Sequence, residues 1–517
     1  MKIKHFALIL LALVLVVCLA SCGGDKGNTT TPENSTADPG TTADPGTTAN
    51  PGSTADPGTT AAPSTTAAPD VTTAPGTTNP PVVDGDVNWS VYQAALSIKR
   101  PDDKIPDANP DVWDGSIATE FAGGSGTEND PYLIANGAQL ALISERVWGN
   151  GGDKDSYEGA DFNGVYFKLV NDIYLNDVSD YQNWNDTTGP ANLWYAIGVQ
   201  TWMNFKGVFD GDGHTVFGIY STGEAPDGTM LSYSGLFGRV VGTGATMTGE
   251  TLLNWDGSDC TAGVMNLTIA CSYVGPAKYS GPFSGLTYNG AFFKNCVTDS
   301  TVTVTTHGTS AQAGGIVGRA QGAYIADCIN KGTIINMVTP QDIDDGVNTG
   351  YSSGICAALG GMVIRCANYG DLYGTYYTGG ITGCEACSSI PGGIYDCFIG
   401  GRIFSSYELF LPDEYKAVKV PLLIGGIAAQ SAKADSWPTE AIHNCVVAVT
   451  FNVPQEQCSN PGVIAGKHYN PVFASNILVV TDFETYDVLA TDWDISAAPY
   501  FSGIERASWA EVQAHMN

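Results

Sequence analysis

Gly314-Gly315-Ile316-Val317-Gly318, then Tyr324-Ile325-Ala326-Asp327-Cys328, then Gly332-Thr333-Ile334-Ile335 is the stretch that decides the fold. A glycine-framed apolar step leads to a short strand ending in cysteine, and another apolar residue follows six positions on. The same offsets return around Cys296, Cys328, Cys366, Cys397 and Cys445. Three residues before each stands Phe293, Ile325, Val363, Ile394 or Ile442; six residues after stands Val302, Ile334, Leu372, Ile403 or Phe451. Fixed offsets between apolar side chains, repeated along a chain, mean that one supersecondary unit is being stacked. Each copy is too short to bury a core alone, so neighbours must bury it together. Three short strands per coil with glycine at the corners predict an all-β, parallel β-helix solenoid.

One offset is irregular. Three residues from Ile325 to Cys328 would put the two side chains on opposite faces of an alternating strand, so a bulge or bend is expected there. The five cysteines are expected to stack as small buried hydrophobes rather than to pair, because a disulfide between adjacent coils would be strained.

Outward from the repeats, Phe205-Lys206-Gly207-Val208-Phe209-Asp210-Gly211-Asp212-Gly213-His214-Thr215-Val216 reads as strand, glycine turn, strand. Pro131 to Ile134 reads as a strand. Asn136, with Gln139 three residues later, then caps a helix with an apolar face of Leu140, Leu142, Ile143 and Val147. Such a helix would close the open end of the array. At the carboxyl end Ser508-Trp509-Ala510-Glu511 is a capping box that starts a last short helix. Ile98 to Val112, rich in Pro, Asp and Lys, reads as an irregular lead-in. These signals divide the globular part into a lead-in and cap over 87–160, the β-helix over 161–485 and a carboxyl-terminal cap over 486–517.

Residues 22–86 are low in complexity. Ala37-Asp38-Pro39-Gly40-Thr41-Thr42 recurs from Ala43, Ala49 and Ala55 and decays from Ala61. Nothing there is apolar enough to repay the entropy of ordering, so a disordered tether is expected. Its length gives a reach of roughly 190 Å if extended and about 45 Å as a flexible coil. Residues 1–21 read as an export signal, with Lys2 and Lys4 before an apolar run from Phe6 to Val17. Leu19-Ala20-Ser21-Cys22 resembles the bacterial lipobox. The resemblance implies cleavage between Ser21 and Cys22, a diacylglycerol anchor on Cys22, and a mature chain held on the extracellular face of the bacterial membrane.

Lys and Arg total 22 against 53 Asp and Glu, a formal net charge of −31. That balance argues against nucleic acid or an anionic membrane surface as a direct partner.

Gly235-Leu236-Phe237-Gly238, Gly315-Ile316-Val317-Gly318 and Gly380-Ile381-Thr382-Gly383 resemble the GLUG motif, named for Gly-Leu-any-Gly. Gly354-Ile355-Cys356-Ala357 and Gly426-Ile427-Ala428-Ala429 are degenerate copies. Phe205 to Tyr220, Ile173 to Leu175 and Gly124 to Tyr132 resemble segments that precede such repeats in bacterial surface proteins. The resemblance spans Trp113 to Val480 and implies a right-handed parallel β-helix on a cell surface. GLUG repeats occur in adhesins and beside the zinc domain of immunoglobulin A1 peptidases, so the ligand stays open. A zinc peptidase needs His-Glu-x-x-His, and none of the six histidines forms it.

Several local patterns are weighed for chemistry. Cys384-Glu385-Ala386-Cys387 has redox or zinc spacing but lacks a second pair, which favours a loop disulfide or idle thiols. Gly350-Tyr351-Ser352-Ser353-Gly354 matches a nucleophile elbow, yet a glycine-framed strand follows where a helix should. Asp210 and Asp212, and Asp342, Asp344 and Asp345, offer oxygen clusters suited to calcium, against the plain alternative of acidic turns. Trp184, Trp194, Tyr195 and Trp202, beside Asn183, Asn185 and Asp186, offer flat faces and polar groups for stacking on sugar rings; the plain alternative is that they cover the first coils. Polygalacturonases share the β-helix, but only Asp344-Asp345 and Gly213-His214-Thr215 approach their motifs. The expectation is therefore a surface β-helix for adhesion or carbohydrate binding, with polysaccharide or a host or cell-surface ligand as partner. A lyase or glycosidase on the same scaffold is the alternative, and a spacer without a small ligand is a third.

Overall fold

The structure, a computed structural model, describes residues 87–149, 156–224, 231–244, 255–345, 350–385, 392–413, 422–430, 441–453, 458–467, 474–483, 490–491 and 501–516. Ser21, Cys22, Cys387 and the expected tether lie outside them. No helix among these residues is long and apolar enough to cross a membrane.

Among the described residues every pairing between strands is parallel, and each strand inside the array pairs with its counterpart one coil before and one coil after. In one coil Gln312–Gly314 pairs with Tyr351–Ser353, Val317–Ala326 with Cys356–Leu359 and Gly361–Ile364, Ile329–Asn330 with Ala367–Asn368, and Thr333–Met337 with Asp371–Gly374. Among the described residues the coils build one 24-stranded sheet that wraps most of the perimeter and two 7-stranded sheets. This is the parallel β-helix, with four strand segments per coil where three were expected. The long strand Val317–Ala326 itself turns a corner at Gly322, whose φ of +84° an L residue rarely adopts.

The ladder also runs further than the expected 161–485. It opens with Tyr132–Ile134 on Tyr166–Leu169, inside the segment read as cap. It closes with Phe501–Ala507 on Ala474–Val480, inside the segment read as carboxyl-terminal cap. Both end strands lack a second neighbour with the repeat signature, which is why the repeat alone does not reveal them.

Cys296, Cys328, Cys366, Cys397 and Cys445 are all fully buried and free, one per coil. The bend before each is a single left-handed residue. Asn295, Asp327, Arg365, Asp396 and Asn444 have φ between +50° and +56°. One such residue turns the chain so that the apolar side chain before it and the cysteine after it both face inward. Asn and Asp tolerate this region best. Arg365 stands as the exception and is held by Asp327 through Nε and Nη2 at 2.7 and 2.8 Å. Amides bridge the corner from coil to coil: Asn295 Nδ2 donates to Asn266 Oδ1 at 3.0 Å, and Asn476 Nδ2 to Asn444 Oδ1 at 3.2 Å.

The helix Gly137–Trp148 starts as expected, with Asn136 Oδ1 accepting from the Gln139 amide at 3.0 Å. Its Leu140, Ile143 and Val147 join Ile134 and Leu169 in the main core, so it plugs the first coil. The last helix, Trp509–His515, has both halves of its capping box. It does not mirror the first. Val512 packs with Phe398, Val446 and Leu478, on the flank of the later coils. A further helix, Trp89–Leu96, packs there too through Tyr92, Ala95 and Leu96, with Trp89 stacked on His515 at 3.9 Å.

The lead-in after Leu96 is irregular in backbone but fixed in place. Tyr369 Oη donates to Ile98 O at 2.9 Å. Lys331 Nζ donates to Pro101 O, Asp102 O and Asp103 Oδ1 at 3.1, 3.0 and 2.7 Å. The Lys104 amide donates to Asp299 Oδ2 at 3.0 Å and the Asp107 amide to Tyr174 Oη at 2.8 Å. Tyr369, Lys331, Asp299 and Tyr174 lie on successively earlier coils, so residues 97–111 form a strap along the flank, from late coils to the first.

Candidate functional site

The aromatic group expected to meet sugar does not present a platform. Trp184 is buried, its Nε1 bonded to Asp180 Oδ1 at 3.0 Å and its ring edge-on to Tyr220. Trp194 is buried in the main core, where Nε1 donates to Leu236 O at 3.2 Å and the ring meets Trp113. Tyr195 and Trp202 are half-buried against that core. The adjacent polar groups are consumed locally: Asn185 Oδ1 accepts from the Thr187 and Thr188 amides, and Asp186 accepts from Tyr273 Oη. The reason is geometric. Tyr220 and Tyr273 point outward from consecutive strands, and the loop holding Trp184 covers that apolar ridge.

The acidic residues also have internal partners. Asp210 Oδ1 accepts from the Asp212 amide at 2.8 Å and from Asn266 Nδ2 at 2.9 Å, making it the first rung of the corner ladder. Asp212 faces Lys168 Nζ at 2.9 Å. Asp342 closes the capping box of the helix Pro340–Asp344 and meets His307 Nε2 at 3.0 Å, and Asp345 accepts from Gln341 Nε2 at 2.9 Å. Asp344 lies in that same short helix and is itself engaged. Among the described residues no group of three or more His, Cys, Asp or Glu converges as a metal would require. Ser352 of the elbow-like match faces the interior, fully buried, with Oγ at 3.2 Å from Thr378 Oγ1. Cys384 is disulfide-bonded, and Cys387 lies outside the described residues.

A different site appears where the strap, the last helix and the solenoid flank meet. A cavity of about 820 Å³ lies there, inside the roughly 300–1,000 Å³ range of small-molecule sites. Its floor is the outward face of the short strands: Tyr369, Phe398 and Ala448, kept low by Gly400 and Gly401. Leu96, Ile98, Lys99 and Arg100 of the strap form one wall, and Trp509 and Met516 of the last helix another. Arg402 and Thr450 stand at the edge toward the neighbouring sheet. Tyr369, Phe398 and Trp509 form an aromatic chain, with ring centroids 5.3 and 6.5 Å apart.

Each side chain is positioned by the fold. Tyr369 follows the inward Asn368, so it points out, and its hydroxyl is tied to the strap. Burial pushes that hydroxyl up to about 12, while the nearby Arg100 pulls the other way. Arg402 is anchored by Asp371 on the preceding coil, Nε to Oδ1 at 2.9 Å and Nη2 to Oδ2 at 2.5 Å, and its guanidinium lies over Phe404. Hydrogen bonding to Asp371 holds the Arg402 guanidinium above its ordinary value. Phe404 in turn stacks on Tyr373 at 4.6 Å, so aromatic surface continues past the cavity edge. Apolar faces, flat rings and a few fixed polar groups equip the cavity to hold a small amphipathic ligand.

No family model and no curated protein matches this chain. Among solved structures, a crystal structure of a protein from Bacteroides ovatus, provisionally named an immunoglobulin A1 protease, is similar over 77% of this chain and 89% of that one, with 16% identity and a TM-score of 0.39.

Proposed function

We propose that this chain is a lipid-anchored bacterial surface protein of the GLUG type, whose β-helix binds carbohydrate in the flank cavity and so serves adhesion. The observation that carries the reading is the cavity in which the half-buried rings of Tyr369 and Trp509 stand beside the enclosed Phe398. Sugar rings present apolar faces and hydroxyl rims, and flat aromatic side chains with fixed polar neighbours complement both. The Leu19–Cys22 motif and the threonine-rich segment after it support display at the end of a tether on the extracellular side. The site of binding moves from the early loops to the flank, because Trp184 and Trp194 are enclosed.

A glycosidase needs two carboxyl groups about 5 to 9.5 Å apart around the bond it cleaves. Among the described residues the cavity lining contains no Asp or Glu, which supports binding over hydrolysis at this site. The test is titration of the full chain with an oligosaccharide panel by calorimetry. Trp509→Ala should weaken binding roughly tenfold, about 1.4 kcal/mol, measured at a temperature where the variant remains folded. Unaltered binding by that variant contradicts the assignment of the site.

A further inference from the structure

We infer that the ligand of the flank cavity is an acidic saccharide, whose carboxylate is read by Lys99 and Arg100 of the strap while Arg402 fixes the opposite edge. The inference rests on the carbohydrate reading and adds the charge of the ligand.

The chain holds 53 acidic against 22 basic residues, so the charged groups in a patch drawn at random from its surface are mostly carboxylates. The cavity reverses that bias: among the described residues its lining has three cations, Lys99, Arg100 and Arg402, and no anion. The three are not equivalent. Arg402 is satisfied by a two-pronged bond to Asp371, so it offers a fixed edge and little net charge. Arg100 has one loose partner, Asp103, at 3.8 Å, and that carboxylate already accepts from Lys331 at 2.7 Å. Lys99 has no carboxylate within ion-pair distance among the described residues and is exposed. Uncompensated positive charge beside apolar and aromatic walls complements a ring that carries a negative group.

The strap also holds the two cations in place. Lys331 is fully enclosed and pins Pro101, Asp102 and Asp103, while Tyr369 pins Ile98. Lys99 and Arg100 therefore sit between two anchored points, which limits the backbone ordering that binding must impose.

A carboxylated ring is found both in uronic acid chains and in sialylated glycans, and the experiment separates these sources. The full chain is titrated with trigalacturonate, with 3′-sialyllactose and with the neutral sugars maltotriose and lactose, in 50 and 500 mM salt. The inference expects at least one acidic sugar to bind more tightly than both neutral ones. Its affinity should fall with salt, and fall about tenfold in the double variant Lys99→Gln/Arg100→Gln, while the same variant keeps its native melting temperature. Neutral sugars that bind as well as acidic ones, with no salt effect, overturn the charge assignment and leave carbohydrate binding standing. Binding of none of the sugars overturns both.

Discussion

Asp327 and its equivalents decide where two inward residues fit on one bent segment. The offset of three between Ile325 and Cys328 signals a bend, and the residue type of the bend is also readable: Asn295, Asp327, Asp396 and Asn444 are the side chains that best accept positive φ. Arg365 hides the pattern at one coil, where the bond to Asp327 takes over. The cysteines behind these bends are legible because one offset recurs five times. Their enclosure has a measurable consequence. Burial holds the thiols of Cys328, Cys366 and Cys397 well above the ordinary 9.0. Unfolded thiols ionise near their ordinary value and folded ones do not. The stability tied to them is thus complete below pH 9 and lost above it, at about 1.4 kcal/mol per pH unit for each thiol. Urea midpoints measured from pH 7 to 10.5 should stay level and then fall, and replacing Cys328 and Cys366 with Ala should make that fall shallower. Rapid labelling of these thiols in the native chain at pH 8 would sink the stacked-core assignment.

Among the elements, the two capped helices are legible because their start signals are local: Asn136 with Gln139, and Ser508 with Glu511. The helix Trp89–Leu96 is not, since it is short and Asn88 makes no side-chain cap bond. The strap is illegible for a different reason. Its anchors, Lys331 and Tyr369, come from the middle of the chain, and nothing in the sequence of 97–111 names them. The buried pair Lys331–Asp299, at 3.0 Å with both side chains enclosed, is the strongest of these anchors. Lys331→Met strands Asp299 without its cation and should destabilise the chain by about 3–5 kcal/mol. Adding Asp299→Leu should recover much of that loss, because the orphaned charge is gone. Limited proteolysis should cut the strap of the single variant faster than that of the parent; equal cutting rates would show that the strap is held by other means.

At the scale of the molecule, a repeat read from side-chain offsets yields the β-helix itself, since each coil buries its neighbour. It does not yield the flank. The cavity takes Lys99 from one end of the chain, Tyr369 and Arg402 from the coils and Trp509 from the other end, and only the folded path brings them together. The early tryptophans draw attention in the sequence by their density, yet a large indole inside a solenoid is more useful as cover than as bait, as Trp184 and Trp194 show. The most direct test of the account is a crystal structure of the full chain soaked with the saccharide that binds best. The account predicts a sugar ring between the strap and Trp509, lying on Tyr369 with its acidic group toward Lys99 and Arg100. A ring seated on the early loops around Trp202, with the flank cavity empty, would contradict it.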